Sequence, residues 1–281
     1  MPAYDKNGMN LNGVAYDKSG VNLSQAYDIS GNPLFTSSGS NLTIMTYNIG
    51  RWGDSSSVES LQAEIFNTYE PDIICFQEFQ RWQETPGIPA IAQRLLTDYP
   101  YKYMASDANR HAVASKINLQ DYTIHQHITQ DVYGHSYSTA TITVGGKDIL
   151  LVNVHLATSE YEDVKMAEAG EIFDVVRNSD SFIICGDFNT VCKSVDHAEY
   201  VTMIKPFVDA GFNLANCNPT RGFNNTWSGG TSYADVWYPC DHIITSPNIT
   251  MNSVVFDQRK VLANTGLIID HIPVIAYLTV T

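Results

Sequence analysis

Asp187 and Asn189, in the stretch FIICGDFNT from Phe182 to Thr190, place a carboxylate and a carboxamide two residues apart at the end of an apolar run. Along an extended chain, residues i and i+2 share a side, so both can face one site while Phe188 packs the other way. Gly186 leaves room for a bend or for close approach of another group. The same design, a β-branched or aromatic run that delivers a polar group at its end, recurs in LTIMTYNIG, PDIICFQEF, ILLVNVHLAT and CDHIIT. Asn48, Glu78, His155, Asp187, Asn189, Asp241, Asp270 and His271 all stand at or just past such an end. Oxygen donors with few histidines and no cysteine favour a hard divalent cation, Mg²⁺ or Mn²⁺, over zinc. Beside two imidazoles and several Asn side chains, they suit phosphoryl chemistry, in which an activated water attacks in line and phosphate charge is neutralised.

Each of these residues has a plainer role when taken singly. Asn48 could cap a turn, Asn189 could form an Asx turn, and Asp241 could be a loop acid with His242 as its exposed neighbour. A lone His155 would more often be a hydrogen-bonded structural histidine. The ordered set favours the site reading for Glu78, His155, Asp187, Asn189 and His271. No role is assigned to His111, His125, His127, His135 or His197.

The elements that must position these residues follow from periodicity. Strands are expected at 42–49, 72–76, 101–104, 112–115, 123–128, 137–144, 148–156, in the run from 182 that ends at Gly186, and at 242–245, 252–256 and 273–278. Helical spacing appears at 57–69, 88–99, 164–176 and 201–210. Gly145-Gly146 is a two-residue hairpin signal. Hairpins next to one another, with helices between strand pairs, imply an α/β fold of two packed mixed β-sheets flanked by helices, a four-layer α/β sandwich. No GxGxxG follows a strand, which argues against a dinucleotide fold.

Residues 1–35 stand apart. They carry AYDKNGMNL from Ala3, AYDKSGVNL from Ala15 and AYDISGNPL from Ala26, a degenerate AYDxxGxxL repeat at spacings of 12 and 11 residues. Such units cannot bury a core alone, and two readings are equally open: a stalk or module that self-assembles with other copies, or a turn-rich leader. The repeats resemble modules of phage and bacterial surface proteins. Residues 36–41, TSSGSN, read as the linker, and 42–281 as the catalytic domain.

At 281 residues and 44% hydrophobic, the chain can bury one substantial core. No apolar run approaches the roughly 20 residues of a membrane span. No signal peptide is recognised, and a secreted or a surface- or virion-associated location stays open. The net charge of −14, from 30 acidic and 16 basic residues, argues against a broad basic nucleic-acid-binding face. A cation held by carboxylates can still present local positive charge to phosphate. The five cysteines fit neither a zinc cluster nor a disulfide framework, although Cys217 and Cys240 flank one loop and could pair.

The motifs TYNIG, DIICFQEF, LVNVHLAT, ICGDFNT, CDHII and DHIPV, in that order, resemble the endonuclease/exonuclease/phosphatase superfamily, whose fold is typified by deoxyribonuclease I. The resemblance covers about residues 42–280. It implies metal ligation by Glu78, assisted by Asn48 and approached by Asp270, with Mg²⁺ or Mn²⁺ as cofactor. It implies that Asp187 orients or deprotonates the attacking water and that Asn189 holds a phosphate oxygen. His155 would contact the scissile phosphate or act as general acid, and His271 would be held by Asp241. Asn109 and Arg110 lie near a loop that approaches substrate in relatives. Two departures stand out: Ile269 replaces a common serine before the final Asp-His pair, and Cys240 replaces a common arginine before Asp241.

Substrate choice rests on loops. Trp227, in the aromatic-rich stretch 219–239, could stack on a base, embrace a sugar or wall the site. Arg51, Arg81, Arg110, Lys116 and Arg221 are the cations expected near the rim. The first expectation is therefore a nuclease acting on nucleic acid. A phosphatase or phospholipase-type hydrolase of a small phosphoester or lipid headgroup is the alternative, and a catalytically silent binding or attachment protein the third.

Overall fold

The apolar runs that end in polar residues form the centres of two six-stranded sheets. The computed structural model describes residues 39–49, 56–79, 95–104, 111–129, 136–158, 161–228, 237–257 and 271–281. The N-terminal repeats, most of the helix expected at 88–99, and Arg51, Arg81, Asn109, Arg110 and Asp270 lie outside them. In chain order the elements are β1 (Ser40–Asn48), α1 (Ser56–Tyr69), β2 (Ile73–Gln77), β3 (Tyr101–Met104), β4 (His111–Ser115), β5 (Gln120–Gln126), β6 (Ser136–Val144), β7 (Lys147–His155) and α2 (Glu162–Val176). There follow β8 (Phe182–Asp187), a π-helical turn (Tyr200–Ile204), α3 (Lys205–Asp209), β9 (Asn213–Leu214), β10 (Trp227–Ser228), β11 (Trp237–Tyr238), β12 (Asp241–Thr245), β13 (Ile249–Phe256) and β14 (Val274–Val280).

One sheet runs β13-β14-β1-β2-β4-β3 and the other β5-β6-β7-β8-β12-β9. Each contains one parallel pair, β1 with β2 and β7 with β8, and antiparallel neighbours otherwise. A parallel pair needs a crossover, which α1 and α2 supply. Gly145 and Gly146, at φ 59° and 79°, close the β6–β7 hairpin as its sequence requires. β1 begins at Ser40, inside the stretch read as linker, because Ser40 and Asn41 pair with Val280 and Thr279. The expected helix at 201–210 is split into the π-helical turn and α3, with Pro206 near the start of the latter.

Strand alternation builds three cores and hence four layers. Ile44, Ile73, Cys75, Leu151, Ile183, Cys185 and Ile243 meet between the sheets. The alternate residues Met45, Tyr47, Ile74 and Phe76 pack on Ile65, Phe66 and Tyr69 of α1. Val152, Phe182 and Ile184 pack on Ala169, Ile172 and Val176 of α2. No helix among the described residues is long and apolar enough to cross a membrane.

The inward faces change character along their length. Leu151 is followed two residues on by Asn153 and then His155; Ile183 by Cys185 and Asp187; Ile44 by Thr46 and Asn48; Cys75 by Gln77. All of these side chains are buried. The sandwich interior is therefore apolar at one end and polar at the other, and the polar end lies where both parallel pairs terminate.

Gly186 sits between Cys185 and Asp187 at φ 153°, and a Cβ placed there would stand 2.1 Å from the Val154 carbonyl oxygen on β7. Backbone against backbone cannot yield without opening the β7–β8 pair. Gly186→Ala should destabilise the fold by roughly 2–4 kcal/mol, seen as a lower denaturant midpoint. An unchanged midpoint would contradict this close approach.

Candidate active site

Asp187, the last residue of β8, is the hub of the polar end. Its Oδ1 accepts the Asn189 backbone N–H at 2.7 Å, and its Oδ2 accepts Asn48 Nδ2 at 2.9 Å from the facing sheet. Two imidazoles flank the same oxygen, with His155 Nε2 and His271 Nε2 each at 3.7 Å. That is too long for a direct hydrogen bond and short enough for all three groups to address one atom placed among them. Behind His271, Nδ1 donates to Asp241 Oδ2 at 2.8 Å, which fixes the ring. Burial, the largest influence, pushes the Asp187 carboxyl up to about 7, and Asp241 adds to the rise. The charge of His271 and the bonds from Asn189 and Asn48 pull it back.

Asp241 is as well supported as it is buried. Its backbone N–H donates to Thr226 Oγ1 at 2.9 Å, and its carbonyl accepts Asn216 Nδ2 at 3.3 Å. Asn216 also bonds Asn224 through both the N–H and the carbonyl of that residue. His242, which might have been a surface neighbour, is fully buried. The Thr190 hydroxyl donates to the Pro239 carbonyl at 2.5 Å, so His242 Nε2 must donate to Thr190 Oγ1 at 2.9 Å. This ties the loop after β8 to the start of β12, where Phe188 N–H also reaches the Cys240 carbonyl at 2.8 Å.

Among the residues singled out from sequence, Asn48, His155, Asp187, Asn189, Asp241 and His271 thus come together. Asn189 has φ 51°, a left-handed conformation that Asn tolerates, and its Nδ2 bonds the Leu156 carbonyl at 2.8 Å. Glu78 is half-buried and follows β2 directly; the Asn48–Gln77 pairing places it beside the end of β1. At φ 55° its backbone is strained for a non-glycine residue. Trp227 lies beside His271 through a β-bridge and stacks on Tyr238 at 5.7 Å.

Two expected rim cations are elsewhere. Lys116 Nζ bonds the Glu70 carbonyl near the start of β2, the opposite end of the strand from Glu78, because β4 is antiparallel to β2. Arg221 Nη2 reaches the Met251 carbonyl on β13. Among the described residues, Lys193 stands 4.7 Å over the ring of Tyr238, the stacking partner of Trp227, and the sequence reading passed it over. Cys217 and Cys240 are both free thiols, and Cys217 Sγ lies instead 3.4 Å from Cys192 Sγ. Also missed were Gln77 and Asn153, which join the sheets just below the site. Gln77 Nε2 donates to Asn153 Oδ1 at 2.8 Å, and Asn153 Nδ2 to the Phe76 and Ala112 carbonyls at 3.2 and 3.0 Å. Their positions, one before Glu78 and two before His155, were the available signal.

The donor set suits a hard cation. Glu78 offers a carboxylate, and Asn48, whose Nδ2 is turned to Asp187, offers Oδ1. Asp187, Asp241 and His271 also have ligand atoms within 4.8 Å of one another, and Asp241 Oδ1 is buried with no hydrogen-bond partner.

Residues 45–257 match the model of the endonuclease/exonuclease/phosphatase family. The chain belongs to this family. No curated protein matches the sequence. Among solved structures, TDP2 from D. rerio complexed with single-strand DNA product is similar at a TM-score of 0.66 and 15% identity, over 85% of this chain and 99% of that one. An AP endonuclease from Archaeoglobus fulgidus aligns at 0.61 and 16%, over 84% and 98%. An endonuclease/exonuclease/phosphatase from Beutenbergia cavernae DSM 12333 gives 0.65 and 17%, over 86% and 72%. At these identities the likeness establishes the four-layer fold. Enzymes of the endonuclease/exonuclease/phosphatase family are phosphoric ester hydrolases, typically dependent on a divalent metal.

The buried titratable groups set an acid limit on stability. Burial lowers His111 and His242 to about 3 from their ordinary 6.5, so between these values the unfolded chain binds two more protons. Asp187, raised from 3.8 to about 7, binds one more in the native state. From pH ~4 to ~6.5 the difference of these contributions is one proton, 2 − 1, in favour of the unfolded chain. Stability contributed by the three groups should therefore fall by about 1.4 kcal/mol per pH unit on acidification through this window. Denaturation in chelator across that range should show the slope, and His111→Gln should flatten it.

Proposed function

We propose that the chain is a divalent-metal-dependent phosphodiesterase that hydrolyses nucleic acid. The observation that carries this reading is the convergence of His155 Nε2 and His271 Nε2 on one oxygen of the buried Asp187, each at 3.7 Å, with Asp241 behind His271. A carboxylate near neutral pKa and two imidazoles around a common point are the groups needed to move a proton from water and one to a leaving oxygen. The DNA product complex of TDP2 and the activity named for the Archaeoglobus fulgidus protein support a nucleic-acid substrate by analogy of fold.

In this proposal Asp187 receives the proton of the attacking water as the oxygen–phosphorus bond forms. The phosphorus bond to the leaving oxygen breaks, and that oxygen takes its proton from His155. His271, held by Asp241, stabilises negative charge on the phosphate, and the second amide hydrogen of Asn189 holds a phosphate oxygen. Glu78 and Asn48 hold Mg²⁺ or Mn²⁺, with Asp270 nearby in sequence to His271. When bound, the cation supplies charge neutralisation at the phosphate. Trp227 and Tyr238, with Lys193 behind them, form an aromatic wall on the His271 side that suits an unpaired base.

Plasmid, single-stranded DNA and RNA should each be tested with Mg²⁺ beside a panel of small phosphoesters and lipid headgroups. Cleavage of a polynucleotide is expected, abolished by EDTA and restored by Mg²⁺ or Mn²⁺. His155→Ala and His271→Ala should each lower kcat by about 10²–10⁴-fold. Undiminished cleavage by His155→Ala would overturn the proposal, and turnover confined to the small-molecule panel would replace it with a phosphatase.

A further inference from the structure

Helix α2 carries two fully buried charged residues, Lys165 and Glu168, one turn apart on the same face. Lys165 Nζ donates to the Asn189 carbonyl at 2.8 Å and to Glu199 Oε1 at 2.7 Å. Glu199 Oε2 in turn accepts the Val191 N–H at 2.6 Å. Glu168 Oε2 accepts the Ala157 N–H at 2.7 Å, and its Oε1 accepts the Thr129 hydroxyl at 2.9 Å. The backbone atoms so held lie two residues beyond His155, at Asn189 itself and two residues beyond Asn189. They belong to the two loops that leave the parallel pair β7 and β8 at the polar end. Those loops are also stitched to each other, since Leu156 N–H bonds the Asp187 carbonyl at 2.9 Å and Asn189 Nδ2 bonds the Leu156 carbonyl.

We propose that Lys165 and Glu168 are positioning residues, fixing from beneath the loops that set His155 and Asn189 around Asp187. This rests on the functional reading above. A buried ion pair is weak evidence for stability, since well-packed apolar side chains of similar volume often serve as well. What singles out this arrangement is its targets: the Ala157, Asn189 and Val191 backbone atoms these three side chains hold among the described residues are each within two residues of a residue placed in the site. Supports of this kind matter because a displacement of about 1 Å at the reacting groups can cost on the order of 100-fold in rate.

The test uses the full chain with Mg²⁺, single-stranded DNA as substrate, and ¹⁵N-histidine spectra of the imidazoles. Glu168→Ala removes the acceptor for Ala157. Lys165→Met/Glu199→Gln removes both charges while keeping an acceptor for Val191. Both variants should fold by circular dichroism, lose about 10–100-fold in kcat with KM within about 3-fold, and shift the His155 imidazole resonances. Glu168→Gln, which retains an oxygen toward Ala157, should recover most of kcat. Folded variants with wild-type kcat and unmoved His155 resonances would overturn the proposal, as would Glu168→Gln being as impaired as Glu168→Ala. Failure of both charge-removing variants to fold would overturn it in favour of a purely structural role. Should the wild type leave DNA uncut, the functional reading fails, and the imidazole resonances still decide the positioning.

Discussion

The hydrogen bond from Asn48 Nδ2 to Asp187 Oδ2 joins side chains 139 residues apart and crosses from one sheet to the other. A carboxylate at 1% exposure inside a sandwich carries a desolvation cost that must be offset locally. Here the offset comes from Asn48 on the facing sheet, the Asn189 N–H on its own loop, and the His271 imidazole just before β14. Asn48 and His155 are presented by strand termini and Asp187 by another, so the site exists only while both sheets keep register. A slip of one residue in any central strand would exchange its polar end for the apolar side chain next to it.

The polar bonds continue below the hub and explain why the sheets hold that register. Thr46 donates to Gln77, Gln77 to Asn153, and Asn153 to two carbonyls of the opposite sheet. These groups are buried, and one left without a partner would cost about 1–3 kcal/mol. An apolar interface is tolerant of sliding, whereas a matched set of donors and acceptors penalises every register but one. Lys165 and Glu199 obey the same logic on the outer side of β8, where loss of either partner would cost about 3–5 kcal/mol.

Much of this was legible in the sequence because the strands are short apolar runs with abrupt polar ends. Asn48, His155 and Asp187 were singled out by their position at the end of such runs, whereas Asp241 opens β12 and His271 precedes β14, so the end-of-run pattern does not describe those two. Alternation sent Phe188 into the α2 core and Asp187 to the polar end. Lys165 and Glu168 were not found. On a helix, a lysine and a glutamate three residues apart have the spacing of a solvated surface pair, and only the loops packed over α2 reveal them as buried. Lys116 failed as a rim residue for a related reason: its distance along the chain from a motif says nothing about which end of an antiparallel strand it follows, and Arg221, in a turn, reaches the Met251 carbonyl on β13 instead. His242 looked like an exposed neighbour because Thr190, its partner, is 52 residues away.

The acidity of the chain and the chemistry of its site are connected through Asp187. Its carboxyl stands near 7 because burial and Asp241 outweigh the attraction of His271 and two hydrogen bonds. Positive charge placed at Glu78 and Asn48 would favour the ionised form, since Asn48 touches Asp187 directly and Coulomb interactions are strong where water is excluded. A group that is half-protonated near neutrality without that charge becomes an ionised base with it. In the proposed mechanism the direction of this shift would couple cation and base: Asp187 would be set to accept a proton when the charge that attracts phosphate is also in place. In a protein with a net charge of −14, a cation held by carboxylates would reverse the sign locally toward an anionic phosphate ester.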